Sequence, residues 1–223
     1  MNFHIITIFP EMITAYISES IIARAIKEKK IAVSFYNPRD FSKKKNKQVD
    51  DKPYGGGPGM VIMVDSIACA VKRIQQKILR RKIQTKIKIL ITNPSGKEFT
   101  NQYADKLVSR KYSDIIIICG RYEGIDARVK KIFKAEEVSI GNYILTGGEI
   151  PAMVIIDAIT RRIPLVLGNS DSIEENRISS SEMYTRPEIY KFNNKKYHVP
   201  KVLLTGNHQK IEKWREDNQS QKK

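Results

Sequence analysis

An unbroken apolar run at residues 115–119 leads directly into a stretch, residues 120–148, that holds five of the chain's 12 glycines. The run consists of four isoleucines and a cysteine, and it predicts a strand that is buried on both faces. Glycine at the exit of such a strand allows the backbone to approach a ligand or a second loop closely. Because the glycines fall into two groups, near residue 120 and near residue 147, the sequence predicts two such exits in succession.

Strands and helices are predicted to alternate over the first 160 residues. The apolar patterns predict strands at 3–9, 31–36, 87–91, 114–119 and 137–140, and helices at 10–22, 65–82, 101–110, 125–133 and 149–160. This alternation is typical of an α/β fold with a mainly parallel sheet and helices on both faces, in which ligands bind at the carboxyl ends of the strands. No G-x-G-x-x-G follows a strand and no Walker sequence occurs, so the usual dinucleotide and triphosphate fingerprints are absent.

Three of the predicted helices carry further detail. The first begins at Pro10, and one of its faces collects four isoleucines: Ile13, Ile17, Ile21 and Ile22. Asp65 or Ser66 is placed to cap the helix at 65–82, because a short polar side chain can accept a hydrogen bond from the first turn. The helix at 149–160 is apolar almost all round, which predicts that it is buried.

The excess of basic residues predicts a polyanionic partner. Forty Lys and Arg against 24 Asp and Glu give a formal charge of +16, and basic surface gains affinity for phosphates by releasing counterions. Residues 66–88 carry eight basic side chains and no acid, and residues 186–223 carry ten basic against four acidic. Two alternatives stay open: a solvated surface that only keeps the protein soluble, and a composition biased toward Lys, Ile and Asn.

The cysteines and the apolar runs predict a cytoplasmic protein with no membrane partner. Cys69 and Cys119 both lie in apolar contexts, and two cysteines cannot build a disulfide framework or a Cys-rich zinc site. No run approaches the roughly 18 apolar residues of a membrane span. The N-terminal residues lack the basic region and cleavage site of a secretory signal.

The character of the chain changes after Arg161. Residues 169–182 are polar and rich in Ser, which is typical of a flexible linker. The residues that follow are too few to enclose a large core of their own. We therefore expect a first domain at 1–162, a linker at 163–183 and a small, shortened helical domain at 184–223.

Eight separated motifs carry a resemblance to a known family over nearly the whole chain. They are IFPEM at 8–12, PRDF at 38–41, VDDKPYGGGPGM at 49–60, GRYEGID at 120–126, SIGNYILTGGEIPAM at 139–153, RIPLVLGN at 162–169, YTRPE at 184–188 and VLLTGNH at 202–208. With these motifs in this order, the chain resembles the bacterial tRNA (guanine-37-N1) methyltransferases of the SPOUT class, which use S-adenosyl-L-methionine. The resemblance implies a deep trefoil knot toward the C-terminal end of the α/β domain, a C-terminal tRNA-binding domain, and a homodimer with its active site at the subunit interface.

The resemblance also implies a set of residues that hold the methyl donor, largely through backbone groups. By motif these are Thr92, Asn93, Pro94, Gly120, Tyr122, Glu123, Gly124, Ser139, Ile140, Gly141, Asn142, Tyr143, Ile144, Leu145, Gly147 and Gly148. Adenine needs apolar walls and a few backbone partners, which Ile140, Tyr143 and Leu145 can supply. Asn142 stands where many relatives have Asp. This difference leaves open whether the chain binds the magnesium ion that family members use, and Glu123 is the candidate contact for that ion.

Methylation of guanine N1 requires a base near the N1 proton and a cation near O6, where negative charge develops. The resemblance places Arg161 as that cation. The position of the family's acidic base corresponds here to Asn176, and Asn cannot accept a proton near neutral pH. Two expectations stay open: Glu175, with Glu174 behind it, takes over as base, or the chain is a weakened or inactive tRNA-binding relative that keeps the cofactor cleft.

The tRNA-binding residues implied by the resemblance lie in two places. One is the loop with Asp50 and the residues that would enclose the target base, namely Gly55, Gly56, Gly57, Pro58 and Gly59. The other is Arg186, after the linker. We attribute the glycines of the loop to a cramped wall without side chains, which admits a purine flipped out of its stack.

Overall fold

The computed structural model of the chain describes residues 1–81, 84–167 and 182–218. The chain forms two compact units, Met1–Leu167 and Gly168–Lys223. The boundary between them lies inside the predicted linker at 163–183. Over the described ranges, no helix is both long enough and apolar enough to cross a bilayer.

A five-stranded parallel sheet forms the centre of the first unit. The strands of the whole chain are β1 Asn2–Ile6, β2 Ala32–Tyr36, β3 Asp50–Asp51, β4 Val61–Ile62, β5 Ile87–Glu98, β6 Asp114–Cys119, β7 Glu136–Ser139, β8 Ile189–Phe192 and β9 Lys195–His198. The sheet has the order β2-β1-β6-β5-β7, and every neighbouring pair is parallel. The isoleucine-rich run is β6, the central strand, and all six of its residues are buried. The predicted α/β fold with a mainly parallel sheet is confirmed.

Helices cover both faces of this sheet, as predicted. They are α1 Pro10–Ile17, α2 Ser20–Lys27, α3 Val64–Leu79, α4 Asn101–Ser109, α5 Arg128–Phe133 and α6 Glu149–Thr160, with α7 Lys201–Leu204 and α8 His208–Asp217 in the second unit. Alternate residues of β6 point to opposite faces. Ile115 and Ile117 join the core cluster that also contains residues of α1, α2, α4 and α6. Ile116 and Ile118 join a second cluster built with α3 and α5.

The structure corrects three details of the predicted helices and strands. The helix predicted at 10–22 is two helices, because the backbone at Ser20 takes a left-handed φ of 56°, and Ile21 is consequently exposed. Neither Asp65 nor Ser66 caps α3, whose N-cap is Met63 without a side-chain hydrogen bond. Strand β5 continues to Glu98 because its pairing with β7 resumes after a register shift between Thr92 and Lys97.

Two antiparallel hairpins accompany the parallel sheet. In the first unit, β3 pairs with β4 and thereby closes the glycine-rich loop of residues 52–60. In the second unit, β8 pairs with β9, a hairpin that the sequence prediction missed. Helices α7 and α8 follow that hairpin, and Asn207 caps α8 by accepting a hydrogen bond from Lys210 N.

Candidate active site

The loops after β6 and β7 contact each other at the carboxyl edge of the sheet. Gly148 N donates to Gly120 O at 2.8 Å, and Gly120 N donates to Thr92 Oγ1 of β5 at 3.3 Å. A Cβ on Gly148 would overlap Thr92 Oγ1 and lie 2.8 Å from Gly120 N. Only glycine therefore fits at position 148. The close approach of backbone that was predicted at the two strand exits is a contact between the two exits themselves.

A cavity of about 370 Å³ opens between these loops. Fifteen of the sixteen residues predicted to hold the methyl donor line it: Thr92, Asn93, Pro94, Gly120, Tyr122, Glu123, Gly124, Ser139, Ile140, Gly141, Tyr143, Ile144, Leu145, Gly147 and Gly148. Asn142 is the exception, being exposed beside the cavity lining. The structure thus brings three separated sequence motifs to one place.

The wall formed by the loop after β7 is compact and partly apolar. Ser139 Oγ donates to Gly141 O at 2.8 Å, and the Tyr143 hydroxyl donates to Ile140 O at 3.4 Å. Ile140 and Leu145 are half-buried, whereas Tyr143 is exposed. Together these residues supply an apolar surface bordered by backbone polar groups, the combination by which small-molecule sites recognise flat ring systems.

Two carboxylates on the cavity lining are stabilised as anions. Glu137 accepts hydrogen bonds from Lys130 and from Asn93 Nδ2, and the Lys130 ammonium is the main reason that the pKa of Glu137 lies below its usual value. The pKa of Asp126 is likewise lowered, chiefly by the Arg128 guanidinium, which donates to it at 2.6 Å. The cavity therefore has ionised carboxylates on its lining at neutral pH.

The motifs did not identify every residue of the cavity lining. Arg121 and Thr146 also line it, and each adjoins a predicted glycine in the sequence. The Arg121 side chain is 15% exposed and donates to the buried Glu149 carboxylate. A sequence signal for Arg121 was available: it is an Arg within a glycine-rich strand exit, and an acid follows later at the start of an apolar helix.

The glycine-rich loop of residues 52–60 is attached to the edge of this cavity. Glu123 N donates to Met60 O and Ile62 N donates to Gly124 O, both at 3.0 Å. A Cβ on Gly59 would lie 2.6 Å from Glu123 Cγ, so the backbone approaches a side chain of the cavity closely there. The predicted tRNA-binding loop therefore adjoins the predicted cofactor site.

Most glycines of that loop are not crowded by the chain itself. A Cβ on Gly55, Gly56 or Gly57 would meet nothing within 4 Å. These three residues have φ of 87°, 78° and 109°, in the region that L side chains rarely adopt. Backbone conformation therefore requires glycine at these positions, and the wall around a flipped-out target base stays a prediction.

Arg161 lies away from the cofactor cavity, at the C-cap of α6. Gly148 is the N-cap of the same helix, so a rise of 1.5 Å per residue separates the two positions by about 20 Å. Arg161 instead lines a groove with Tyr16 of α1 and Val154 of α6, both of which are exposed. The Tyr16 hydroxyl donates to Asp157 at 2.6 Å in the same groove, and this hydrogen bond raises the pKa of Tyr16 to about 12.

The family described as tRNA (Guanine-1)-methyltransferase TrmD matches residues 1–223, the whole chain. The chain belongs to this family. Similar proteins named tRNA (guanine-N(1)-)-methyltransferase occur in Buchnera aphidicola, 46% identical over 96% of this chain and 87% of the relative, and in Clostridioides difficile, 46% identical over 97% and 91%. A further relative with the same name, from Mycoplasma capricolum, is 44% identical over 98% of this chain and 87% of its own length.

The remaining residues suggested by the likeness to the TrmD family stay predictions. Glu175 and Asn176 lie outside the described residues. Arg186 is exposed in the second unit, just before β8. Within 1–81, 84–167 and 182–218, no group of three or more His, Cys, Asp or Glu side chains is arranged to hold a metal ion. A magnesium ion stays a prediction, and no catalytic step is assigned to it.

Proposed function

We propose that the protein transfers a methyl group from S-adenosyl-L-methionine to N1 of the guanosine at position 37 of tRNA, next to the anticodon. The observation that carries the proposal is the convergence of fifteen motif residues on one cavity with the glycine-rich loop attached to its edge. Membership of the TrmD family supports the reaction. The charge of +16 supports an RNA partner.

The cavity is suited to the methyl donor in both size and chemistry. Ile140 and Leu145 provide apolar contact for the adenine, and Gly120, Gly141 and Gly148 let the backbone line the cavity without side-chain obstruction. Bound there, S-adenosylmethionine supplies an electrophilic methyl group on its sulfonium. The chain's own contribution is to orient that group and to keep water from it.

In this proposal, Arg161 of one subunit acts on the guanine that is bound at the cofactor cavity of the other subunit. A guanidinium near O6 stabilises the negative charge that develops when N1 loses its proton. Since Arg161 lies about 20 Å along α6 from the cavity edge of its own chain, it cannot reach a methyl donor bound there. We therefore assign the functional unit to a homodimer with the active site between subunits.

The surface around Arg161 supports this dimer. Exposed apolar side chains lie along α1 and α6, namely Met12, Tyr16, Ile150 and Val154. Apolar groups gathered on one face mark an interaction surface more often than an isolated exposed residue does. A symmetric dimer formed through this face would bury the same patch of both chains.

Glu175 is our proposed base for the N1 proton, in place of the acid that relatives carry at the position of Asn176. The proposal further assigns Asp50 and the loop of Gly55, Gly56, Gly57, Pro58 and Gly59 to the target base, and Arg186 to the tRNA backbone. With two isolated cysteines, the chain is suited to the reducing cytoplasm, where tRNA is modified.

A methyl-transfer assay with labelled S-adenosylmethionine tests the reaction. We expect incorporation into a tRNA transcript with guanosine at position 37 and none into the same transcript with adenosine there. Glu175→Gln should lower kcat by about 100-fold or more, the usual contribution of a general base, whereas the matched neighbour Glu174→Gln should retain activity. Incorporation by Asn176→Asp but none by the wild type, even at high enzyme concentration, would contradict the proposal.

A further inference from the structure

Glu149 is a fully buried carboxylate at the first turn of α6, and its role is not explained by the proposed reaction. It is 0% exposed, although burying a carboxylate is costly unless hydrogen bonds and an opposite charge compensate it. Thr7 Oγ1 donates to Glu149 Oε1 at 2.6 Å, and Arg121 Nε donates to Oε2 at 2.8 Å. The Arg121 guanidinium and the Glu149 carboxylate form an ion pair.

The Arg121 guanidinium is held from several sides. Its Nη1 donates to Thr146 O at 3.3 Å, its Nη2 lies 3.1 Å from Met12 Sδ, and its Cζ lies 4.6 Å from the centroid of the Phe9 ring. A Cβ on Gly147 would overlap the Arg121 side chain, which therefore lies flat across that backbone. The guanidinium thus connects the loop after β1, the loop after β6 and the segment that leads into α6.

These contacts form one wall of the cofactor cavity. Arg121, Thr146, Gly147 and Gly148 all line the cavity, whereas Glu149 lies behind them. Without the carboxylate, Arg121 would be a partly buried cation lacking its counterion, and nothing comparable would orient its bonds to Thr146. The position of the wall therefore depends on a side chain that contacts no ligand.

We propose that Glu149 is a positioning residue for the methyl donor: through Arg121 it holds the wall at Thr146, Gly147 and Gly148 in the shape that binds S-adenosylmethionine. Thr7 completes this arrangement by fixing the second carboxylate oxygen, and its own Oγ1 accepts a hydrogen bond from Phe9 N at 3.0 Å. The proposal rests on the proposed function, because it presumes that the cavity binds this cofactor.

Calorimetric titration of the full chain with S-adenosylmethionine tests this role. Glu149→Gln keeps the shape of the side chain and removes its charge. Because the Arg121 guanidinium then lacks its counterion, we expect Kd to rise by about tenfold or more. In the methyl-transfer assay, KM for the cofactor should rise more than kcat falls. Thr7→Val should raise Kd about threefold to tenfold, whereas Thr7→Ser, which keeps the hydroxyl, should restore wild-type affinity.

Asp114→Asn is the matched control. Asp114 is equally buried and accepts hydrogen bonds from His4 and Arg81, but it lies at the opposite end of β6. Both Asp114→Asn and Glu149→Gln should lower thermal stability, while only Glu149→Gln should weaken cofactor binding. This difference separates a positioning role from a merely structural one.

Three outcomes would overturn the inference. The first is a folded Glu149→Gln protein with Kd within twofold of wild type. The second is an equal rise of Kd in Asp114→Asn. The third applies if Glu149→Gln does not fold: it is a Thr7→Val protein whose Kd for S-adenosylmethionine equals that of the wild type. A wild-type protein that neither binds S-adenosylmethionine nor methylates tRNA would instead overturn the proposed function, and this inference with it.

Discussion

At the scale of single residues, the glycines of this chain serve two different physical needs. Gly148 has no room for a side chain, because Thr92 and the backbone at Cys119 and Gly120 surround the position of its Cβ. Gly55 and Gly57 have open space and need only a positive φ. Both needs select the same amino acid, so the sequence predicts where glycine is required without revealing which need applies.

The crowding at Gly148 leads to a prediction. Gly148→Ala must displace backbone atoms of the β6 exit, which also forms the cofactor cavity. We therefore expect Kd for S-adenosylmethionine to rise and methyl transfer to fall by about 100-fold, the rate cost typical of a misplacement of roughly 1 Å. Gly206→Ala is the control: its Cβ would meet nothing within 4 Å, and its φ of 67° strains only the backbone of the second unit, none of whose described residues lines the cavity. Calorimetry on both variants measures the effect, and near wild-type affinity in Gly148→Ala would show that the two loops can separate without loss of the site.

At the scale of elements, the sequence predicted best those with a nearly continuous apolar sequence. The bounds of β6 and α6 agree with the prediction for this reason, although α6 is less buried than predicted, since Ile150 and Val154 are exposed. The break between α1 and α2 was missed because it depends on the backbone of one residue, Ser20. The hairpin of β8 and β9 was missed because all its residues are exposed, so no alternation of burial marks it.

The residues of the site were predictable where local sequence carries their signal. Motif likeness placed fifteen residues that the structure brings to one cavity, since a loop that shapes a cavity carries its signal in local sequence. Arg121 and Glu149 were not singled out because their importance comes from a contact between residues 28 positions apart. Only the fold brings them together.

Asp114 links three elements at the edge of the sheet opposite the cavity. It accepts hydrogen bonds from His4 of β1 at 2.9 Å and from Arg81, just after α3, at 2.7 Å. Burial alone would raise the pKa of Asp114, but these donors outweigh burial and hold the pKa below its usual value of 3.8. A pKa lower in the folded than in the unfolded state means that the carboxylate stabilises the fold above pH 3.8 and loses that effect as the pH falls further.

We therefore expect Asp114→Asn to lower the free energy of unfolding by about 3 kcal/mol at pH 7, the cost of breaking a buried ion pair. The difference from wild type should narrow as the pH falls below about 3.8, because the unfolded chain then takes up a proton that the folded carboxylate resists. Urea unfolding of both proteins across this range measures the difference. Asp51→Asn, which alters an exposed pair with Lys44, should change little at any pH, and a pH-independent gap for Asp114→Asn would exclude charge as its cause.

At the scale of the whole molecule, the arrangement of α6 separates the two halves of the proposed chemistry. The cofactor cavity adjoins its N-cap and Arg161 is its C-cap, a separation of about 20 Å in one chain. Exposed Ile150 and Val154 lie on the same helix. If the active site forms between two chains, one chain contributes the methyl donor and the other contributes Arg161.

Mixed dimers test this division of labour. Arg161→Ala keeps the cavity but removes the cation, and Gly148→Ala keeps Arg161 but distorts the cavity, so each variant alone should have little activity at a cofactor concentration that saturates only the wild type. A mixed dimer would contain one site with both defects and one site with neither. Because random pairing makes half of the dimers mixed, an equimolar co-expression should recover about a quarter of wild-type methyl transfer. Differently tagged chains would establish that mixed dimers form, and zero recovery from such dimers would mean that Arg161 acts on the cofactor of its own chain.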